Sequence, residues 1–391
     1  MTRKICVVTG SRAEYGLLKQ LLGRISTNRA LELRLVATGM HLSPEFGLTY
    51  REIEQDGFSI ARKVEMLLSS DSSRGVAKSI GLGVIGFADA FADLAPDMVV
   101  LLGDRFETLA AATAALVAGV PIAHIHGGEK TEGAFDESIR HAITKMAHLH
   151  FVAAEEYRLR VIQLGEEPAR VHCVGGLGVD AIDAVVPIEK SELERDIGFS
   201  FGERNLLVTF HPATLDRGSA LDQLEELLSA LADLPGVGLI FTHANADTEG
   251  RAIIRRVEEF ARQHPHARAY ASLGQRRYLS CLRHVDGVVG NSSSGLLEAP
   301  SFCIGTVNIG SRQQGRLRGD SVIDCDPTRH AIAAALDTLF SPNFRAGLTA
   351  GDIPYGTPGA SRRIVDEIAR VDLARLARKA FYDLPQIEEK L

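Results

Sequence analysis

The stretch Ile5-Cys6-Val7-Val8-Thr9-Gly10-Ser11-Arg12-Ala13-Glu14-Tyr15-Gly16 changes from an apolar run of strand length to a polar glycine turn. Apolar residues then recur at the spacing of one helical face. A glycine turn that leads into a helix leaves unpaired backbone amides, and anions bind there. Arg12 adds a guanidinium suited to phosphate. The stretch predicts a strand, an anion-binding turn and a helix, and the alternative for Arg12 is a solvated side chain at an exposed helix end.

Five further turns of this kind follow apolar runs later in the chain. Each carries acidic, basic or hydroxyl side chains, and they span residues 103–107, 124–141, 211–213, 243–247 and 290–295. In a parallel sheet, the loops that leave the carboxyl ends of the strands gather along one edge, where ligands bind. The six turns therefore predict one divided anion-binding cleft.

The strands are predicted to be parallel and covered on both faces, which makes the fold class α/β. Their Val, Leu and Ile content is nearly continuous instead of alternating with polar residues. Helical segments such as 106–118 join successive strands, as right-handed crossovers require. The predicted strands are 5–9, 31–38, 98–102, 122–126, 150–153, 206–210, 237–242, 285–289 and 304–309.

Two domains are expected, because 391 residues exceed the size of one comfortable core. A glycine-rich stretch at 174–178, then a helical segment, Pro187 and charged residues, indicate a linker. The strand and helix pattern restarts after it. We expect Rossmann-like domains at residues 1–178 and 179–361, with the final helical stretch, 362–391, packing back on the first domain.

Composition excludes several classes of protein. A net charge of −7 without a long basic face argues against nucleic-acid binding. The five cysteines are scattered and contain no Cys-x-x-Cys, so neither a disulfide framework nor a zinc knuckle is indicated. We recognise no signal peptide, and no apolar run that approaches the roughly 18 residues of a membrane span. The expectation is a soluble cytoplasmic protein without a membrane partner.

Acidic and basic groups are concentrated in two neighbouring turns. Asp104-Arg105 follows a buried strand, and the alternative for this pair is an ion pair that only fixes its loop. The next loop contains His124, His126, Glu129, Glu132, Asp136, Glu137, Arg140 and His141. His124 and His126 are two apart on a predicted strand and are expected to share a face. A metal site at His126, Glu129 and His141 matches no known ligand spacing, so proton transfer is the better use of this loop.

A hydroxyl-rich turn in the second half of the chain, residues 291–295, leaves a strand and opens a helix. Glu298 lies one turn further on, at a spacing that does not fit a capping box. A carboxylate that accepts both hydroxyls of a ribose would account for it. Residues 311–316 add cations at the same edge, unless these are only solvated surface.

Together these pieces resemble the hydrolysing UDP-N-acetylglucosamine 2-epimerases. The resemblance runs in order over nearly the whole chain, through residues 9–15, 103–105, 127–129, 136–141, 211–212, 290–293 and 308–312. It implies two Rossmann-like domains of the glycosyltransferase-B type with a cleft between them. It also implies UDP bound mainly by the C-terminal domain, the sugar between the domains, a homodimer and no redox cofactor.

The resemblance implies a two-step reaction, in which loss of the C2 proton and departure of UDP give a glycal that water then converts to the free 2-epimeric sugar. Because that proton is not acidic, the departing diphosphate must be stabilised as the base acts. Asp104 and Asp136 match acidic catalytic positions of the family, and His211 is expected to assist. Family members often carry His-x-Glu where this chain has His124-Ile125-His126, so His126 or Glu129 is expected to replace the second acid/base. The substrate-binding residues are expected to be Arg12, Ala13, Glu14, Arg105, Asn245, Ser292, Ser293, Glu298 and Arg312.

Several alternatives stay open. The expected substrate is UDP-N-acetylglucosamine, giving N-acetylmannosamine toward sialic acid. The alternative is UDP-2,4-diacetamido-2,4,6-trideoxyglucose, leading toward legionaminic-type acids. A glycosyltransferase of the same fold would bind the same nucleotide sugar but pass it to an acceptor. A non-catalytic sensor would keep binding without turnover. The acid-rich loop at 124–141 favours the epimerase.

Overall fold

The structure, a computed structural model, describes residues 2–69, 72–130, 135–211, 220–243, 250–348 and 354–385. The described chain divides into two compact units. Unit 1 comprises the described residues that precede Ile182 together with those from Tyr355 onward. Unit 2 comprises the described residues of Ile182–Pro354. The chain therefore crosses from one unit to the other twice.

Unit 1 begins with the elements β1 (Arg3–Thr9), α1 (Arg12–Thr27), β2 (Leu31–Thr38), α2 (Tyr50–Gln55), β3 (Ile60–Val64), α3 (Ser73–Leu94), β4 (Met98–Leu102), α4 (Phe106–Val117), β5 (Ile122–Ile125), α5 (Phe135–Met146), β6 (Leu149–Val152), α6 (Glu155–Gln163), β7 (Val171–Cys173) and α7 (Leu177–Ala184). Helix α7 continues from unit 1 into unit 2. Those of unit 2 are α8 (Lys190–Ile197), β8 (Arg204–Thr209), α9 (Ala220–Ala232), β9 (Val237–Thr242), α10 (Gly250–Gln263), β10 (Ala267–Tyr270), α11 (Gly274–Leu282), β11 (Gly287–Gly290), α12 (Ser294–Leu297), β12 (Gly305–Ile309), β13 (Val322–Cys325), α13 (Arg329–Phe340) and α14 (Pro342–Gly347). Back in unit 1 follow α15 (Ala360–Arg370) and α16 (Leu373–Leu376).

Each unit contains one parallel sheet, as the sequence predicts. The strand order is β3-β2-β1-β4-β5-β6-β7 in unit 1 and β10-β9-β8-β11-β12-β13 in unit 2. In both, the chain moves outward from a central strand and then returns to its other side. The order therefore reverses between β1 and β4 and between β8 and β11. Loops at the carboxyl ends of such strand pairs are where open α/β sheets bind ligands.

Both faces of each sheet are covered, which explains the continuous apolar strands. In β1, Ile5 and Val7 pack with α1 and α15 on one face, whereas Cys6 and Val8 pack with α3 and α4 on the other. In unit 2, Val208 faces a core with α9 and α13, and its neighbour Leu207 faces a core with α8 and α11. Burial on both sides removes the polar alternation that a half-exposed strand would show.

Helix α3 corrects one expectation from the sequence, namely that no apolar run approaches the length of a membrane span. Its 22 residues are long and apolar enough, by length and composition alone, to cross a membrane. In unit 1 it packs against α4 and β3. Core helices of soluble proteins can be equally long and apolar.

Asp180 connects the two chain segments that make up unit 1. Its carboxylate, on α7, accepts the backbone amides of Gly359, Ala360 and Ser361 at 2.5, 2.9 and 2.6 Å, where α15 begins. Burial alone would raise the pKa of Asp180, but these hydrogen bonds outweigh it and hold the pKa below its usual 3.8. A carboxylate far away in sequence thus satisfies amides that the helix itself cannot pair.

Replacing Asp180 with Ala is expected to lower the free energy of unfolding by about 1–3 kcal/mol, because buried amides lose a charged acceptor. Since the folded-state pKa is depressed, the stabilisation is present above pH 3.8 and is lost as the pH falls through the folded-state value. Urea unfolding measures both effects. Asp372→Ala is the control, because Asp372 caps α16 with a carboxylate that is 60% exposed. An equal loss in both variants would contradict a special role for Asp180.

Candidate active site

The predicted site residues of unit 1 lie where its strand order reverses. Asp104 and Arg105 follow β4, and Ser11 through Glu14 follow the adjacent β1. The loop after β5, the next strand along, carries His126 and Glu129. Since all three strands are parallel, these loops leave the same edge of the sheet. The topology thus brings together residues that are more than a hundred positions apart in the sequence.

Arg140 is the centre of the acidic cluster. Its side chain is only 2% exposed. One guanidinium nitrogen pairs with Asp104, and another donates to Glu137 Oε2 at 2.8 Å and to the backbone oxygen of Glu129 at 2.8 Å. Buried charges require such partners. Arg140 therefore links the loop after β4, the loop after β5 and helix α5 into one arrangement.

Asp136 lies in the first turn of α5, one helical turn before Arg140. Burial, and next the nearby negative charge of Asp104, raise the pKa of Asp136 to about 6, against lowering effects of Arg105 and Arg140. A carboxyl group that titrates near neutral pH can both take up and release a proton under physiological conditions. The predicted pair of Asp104 and Asp136 is thus electrostatically coupled in the structure.

The two histidines of the loop do not share a face, so that expectation is wrong. Strand β5 ends at Ile125, and His126 has a positive φ of 65° that turns the chain away from the strand. His124 stays fully buried, with its ring 2.8 Å from the backbone oxygen of Gly103 and 3.2 Å from the Thr144 hydroxyl. Burial lowers the pKa of His124 to about 3, so its ring is neutral. His124 supports the loop that carries Asp104.

His126 and Glu129 form a pair next to this cluster. His126 Nδ1 lies 3.0 Å from Glu129 Oε1, and the backbone amide of Leu177 donates to His126 Nε2 at 3.3 Å. The imidazole thus accepts a backbone amide on one side and lies against the Glu129 carboxylate on the other. A positive φ in a residue other than glycine is costly and is often found at functional sites.

The turn after β1 has an exposed side and a buried side. Arg12 and Ala13 are exposed, and the Arg12 guanidinium lies 3.0 Å from Glu52. Glu14 is buried, and its carboxyl group accepts the Gly10 amide at 2.7 Å. Burial raises the pKa of Glu14 to about 8. Glu14 is thus mostly protonated at neutral pH.

Arg105 and Glu107 hold the adjacent loop. The Arg105 guanidinium donates to both carboxylate oxygens of Glu107 at 3.2 Å. Gly39, after β2, has a φ of 57°, and a Cβ there would lie 2.8 Å from the Glu107 carboxylate. Only glycine permits this approach. Neither Glu107 nor Gly39 is among the predicted site residues, because their roles depend on contacts between loops distant in sequence.

In unit 2, His211 and Asn291 join the loops after β8 and β11, where the strand order reverses. The His211 amide donates to Asn291 Oδ1 at 2.7 Å, and Asn291 Nδ2 donates back to the His211 oxygen at 2.9 Å. Arg312 and Gln313 both donate to the backbone oxygen of Asn291, at 3.0 and 2.8 Å. Burial, followed by the charge of Arg312, lowers the pKa of His211 to about 3. His211 therefore presents a neutral imidazole.

Ser292 and Ser293 are partly exposed at the start of α12. Glu298, just after that short helix, accepts a hydrogen bond from Ser294, whose hydroxyl also bonds to Tyr278. Burial raises the pKa of Glu298. Asn245 lies outside the described residues. Within the part of the chain that the structure describes, no three His, Cys, Asp or Glu side chains converge as metal ligands would.

Comparisons with known proteins match this chain to one family. The family described as UDP-N-acetylglucosamine 2-epimerase matches residues 24–369. The chain is 41% identical over 384 residues to GDP/UDP-N,N'-diacetylbacillosamine 2-epimerase (hydrolyzing) of Campylobacter jejuni, covering 98% of this chain and 99% of that protein. It is 39% identical to polysialic acid biosynthesis protein P7 of Escherichia coli, covering 98% of each.

A solved structure shows the same fold. UDP-GlcNAc 2-epimerase from Neisseria meningitidis, bound to UDP-GlcNAc, aligns with a TM-score of 0.81 at 14% identity, over 94% of this chain and 100% of that chain. At this identity the likeness concerns the fold alone. The predicted α/β fold with two Rossmann-like units of the glycosyltransferase-B type is confirmed.

Proposed function

Because this chain belongs to the UDP-N-acetylglucosamine 2-epimerase family, we propose that it hydrolyses a UDP-linked 2-acetamido sugar with inversion at C2. The products are UDP and the free 2-epimeric sugar. The observation that carries the proposal is the coupled pair of Asp104 and Asp136 around buried Arg140, at the strand reversal of unit 1. Such carboxyl groups suit proton transfer at a carbon atom.

The proposed chemistry has two balanced steps. A carboxylate removes the proton from C2, the electron pair of that bond forms the C1–C2 double bond, and the C1–oxygen bond breaks as UDP leaves with its electrons. Water then adds a hydroxyl group to C1 while an acid returns a proton to the opposite face of C2. A raised pKa of Asp136, about 6, suits a group that changes protonation state at neutral pH.

Glu129 is our proposal for the second acid/base, with His126 as its support. His126 Nε2 accepts the Leu177 amide, and His126 Nδ1 lies 3.0 Å from Glu129 Oε1. An imidazole held in this way orients a carboxylate more readily than it contacts substrate. This assignment would restore a carboxylate near the position where the family often has His-x-Glu.

Unit 2 is our proposal for the UDP site. The amide end of α12 with Ser292 and Ser293, and the cation Arg312, would bind the diphosphate, and Glu298 the ribose. His211, held by Asn291, would contact the leaving group as a neutral imidazole. From unit 1, Arg12, Ala13, Glu14 and Arg105 would line the sugar and phosphate side. Asn245 is retained as a sequence-based proposal.

For the substrate, we propose UDP-2,4-diacetamido-2,4,6-trideoxyglucose, supported by the 41% identity to the Campylobacter protein, whose name gives this sugar as N,N'-diacetylbacillosamine linked to GDP or UDP. UDP-N-acetylglucosamine, giving N-acetylmannosamine, is the second candidate. The family description and the polysialic acid name of the Escherichia coli relative support it. Incubation with each nucleotide sugar, followed by NMR of the products, distinguishes the two.

Isotopic labelling tests the reaction itself. In heavy water, the free sugar is expected to carry deuterium at C2, because the glycal must regain its proton from a group that exchanges with solvent. In oxygen-18 water, the label is expected at C1 and not in phosphate. Asp136→Asn serves as the matched control. Original hydrogen retained at C2, with unchanged configuration, would reject the epimerase and favour a transferase or simple hydrolase.

We also propose that the protein acts as a cytoplasmic homodimer. The outer faces of α3 and α4 support a partner, because Leu82, Ile85, Leu116 and Val117 are exposed there, Ile85 by 65% and Val117 by 84%. Sedimentation is expected to give a dimer that dissociates in the variant Ile85→Glu/Val117→Glu. A wild-type monomer, or a dimer unaffected by these changes, would contradict this surface.

A further inference from the structure

The last residue of α16 and the chain that follows it are anchored on unit 1 by a set of specific contacts, and we call residues 376–382 the C-terminal strap. The Arg170 guanidinium donates to the backbone oxygens of Leu376 and Arg378 at 3.0 and 2.8 Å. The Tyr382 amide donates to the Gly165 oxygen at 3.0 Å. Phe381 covers Gly165 so closely that a Cβ there would lie 2.3 Å from its ring. The strap therefore binds at a defined position on unit 1, next to the end of α6.

Lys379 is the one described lysine of the strap, and it reaches the end of helix α5. Its ammonium donates to the backbone oxygens of Lys145 and Ala147 at 2.6 Å, and to that of Thr144 at 3.4 Å. The last carbonyls of a helix have no partner within it and carry the negative end of its dipole. A cation there satisfies both needs. Lys379 thus closes the C-terminal end of α5 from outside.

A buried carboxylate fixes the ammonium in this place. Glu166 is 2% exposed, and its Oε2 lies 2.7 Å from Lys379 Nζ and 2.9 Å from His150 Nε2. Its other oxygen lies 2.6 Å from Lys145, on the last turn of α5. The strap and the helix are therefore held by the same carboxylate. This cluster lies outside the residues assigned to proton transfer.

The other end of α5 carries the acidic cluster. Asp136 and Arg140 lie on α5, and Arg140 pairs with Asp104 across the sheet edge. Between the two ends, the Thr144 hydroxyl bonds to the Arg140 oxygen at 3.0 Å and lies 3.2 Å from the His124 ring. A helix transmits a displacement along its length, because each residue is fixed to the next turn. The position of Asp136 therefore depends on the pair of Arg140 with Asp104 and on the contacts of Lys379 with the other end of α5.

We propose that Lys379 is a positioning residue: by holding the C-terminal end of α5 through the Thr144, Lys145 and Ala147 carbonyls, it keeps Asp136 and Arg140 in register with Asp104. This inference rests on the proposed function of the acidic cluster. It assigns the strap a role in the reaction, exerted from the end of α5 opposite to Asp136.

Lys379→Met tests the proposal, because it keeps an unbranched side chain of nearly the same volume and removes the ammonium. Turnover is expected to fall at least about tenfold with KM and UDP affinity nearly unchanged, since a small misplacement of a reacting group lowers the rate without removing binding. Amide hydrogen exchange is expected to accelerate in α5 and to stay unchanged in α1 and in unit 2. Lys379→Gln, which keeps donors for two carbonyls, is expected to show a smaller effect and guards against misfolding.

Arg378→Met is the matched control, because it removes an exposed neighbouring charge and is expected to change neither turnover nor exchange. Unchanged turnover and unchanged α5 exchange in Lys379→Met would overturn the proposal, as would faster exchange throughout unit 1. The exchange measurement needs no substrate. Absence of epimerase activity in the wild-type protein would therefore reject the proposed function separately from the anchoring of α5.

Discussion

Replacing Asp136 with Asn is expected to lower turnover by at least about 100-fold, the usual consequence of losing a positioned acid or base. The amide has nearly the same shape but cannot exchange a proton. Fold and UDP affinity are expected to be preserved, because the UDP site is proposed to lie in unit 2. Steady-state kinetics and calorimetry with UDP measure the two properties separately. Near-normal turnover would remove Asp136 from the mechanism.

The pH dependence sharpens this expectation. Since the pKa of Asp136 is raised to about 6, its basic form is lost as the pH falls through about 6, and the rate of the first step is expected to fall with it. Asp104→Asn is expected to lower turnover to a similar extent. The residual rate of this variant is also expected to fall at a lower pH than that of the wild-type protein, because the charge of Asp104 is one cause that raises the pKa of Asp136. If the rate of the variant fell at the same pH as that of the wild-type protein, a group other than Asp136 would determine the pH dependence.

Arg140→Met is expected to abolish measurable turnover and to lower the free energy of unfolding by about 3–5 kcal/mol, the range for removing one partner of a buried ion pair. The change leaves Asp104, Glu137 and the Glu129 oxygen without their shared donor. Arg140→Lys is expected to have turnover and stability between those of the wild-type protein and Arg140→Met. It keeps the charge, but an ammonium cannot reproduce the planar guanidinium that reaches several acceptors. Denaturant unfolding and kinetics on the same preparations measure these effects.

Arg158→Met provides the comparison for Arg140. Arg158 also donates to three partners, the oxygens of Val171 and Pro168 and the carboxylate of Glu155, but it is 29% exposed and lies outside the acidic cluster. A smaller loss of stability and normal turnover are expected. If Arg158→Met were as damaging to turnover as Arg140→Met, the loss would reflect general destabilisation of unit 1.

The central strands of both sheets could be predicted from the sequence, but the outermost could not. The four omitted strands, β3, β7, β10 and β13, are the edges of the two sheets. Edge strands are covered less completely, so the apolar run that marks a central strand is missing. In β3 the three middle residues are exposed. Strand β7 is only three residues long. Their pairing depends on a neighbour already in place, and local sequence does not encode that.

The site divides in the same way. Asp104 and Asp136 could be proposed as site residues from the sequence because each follows a recognisable strand or opens a helix within a family pattern. Arg140 was visible in the crowded loop, but its central position arises from Asp104 and Glu129, which reach it from other loops. The backbone turn at His126 could not be anticipated either, because residues other than glycine rarely adopt a positive φ. Contacts between distant loops and unusual backbone angles are properties of the folded chain.

The capping of α15 by Asp180 has a consequence for how the protein is made. Ile364 and Ile368 of α15 belong to the same buried core as Ile5 and Val7 of β1. A ribosome delivers these residues only after all of unit 2 has been synthesised. Until then, unit 1 lacks α15, one of the two helices that pack on this face of β1, while the later unit already has its complete sequence. Domains generally fold in the order of their synthesis, but here the unit that starts first is the one that must finish last.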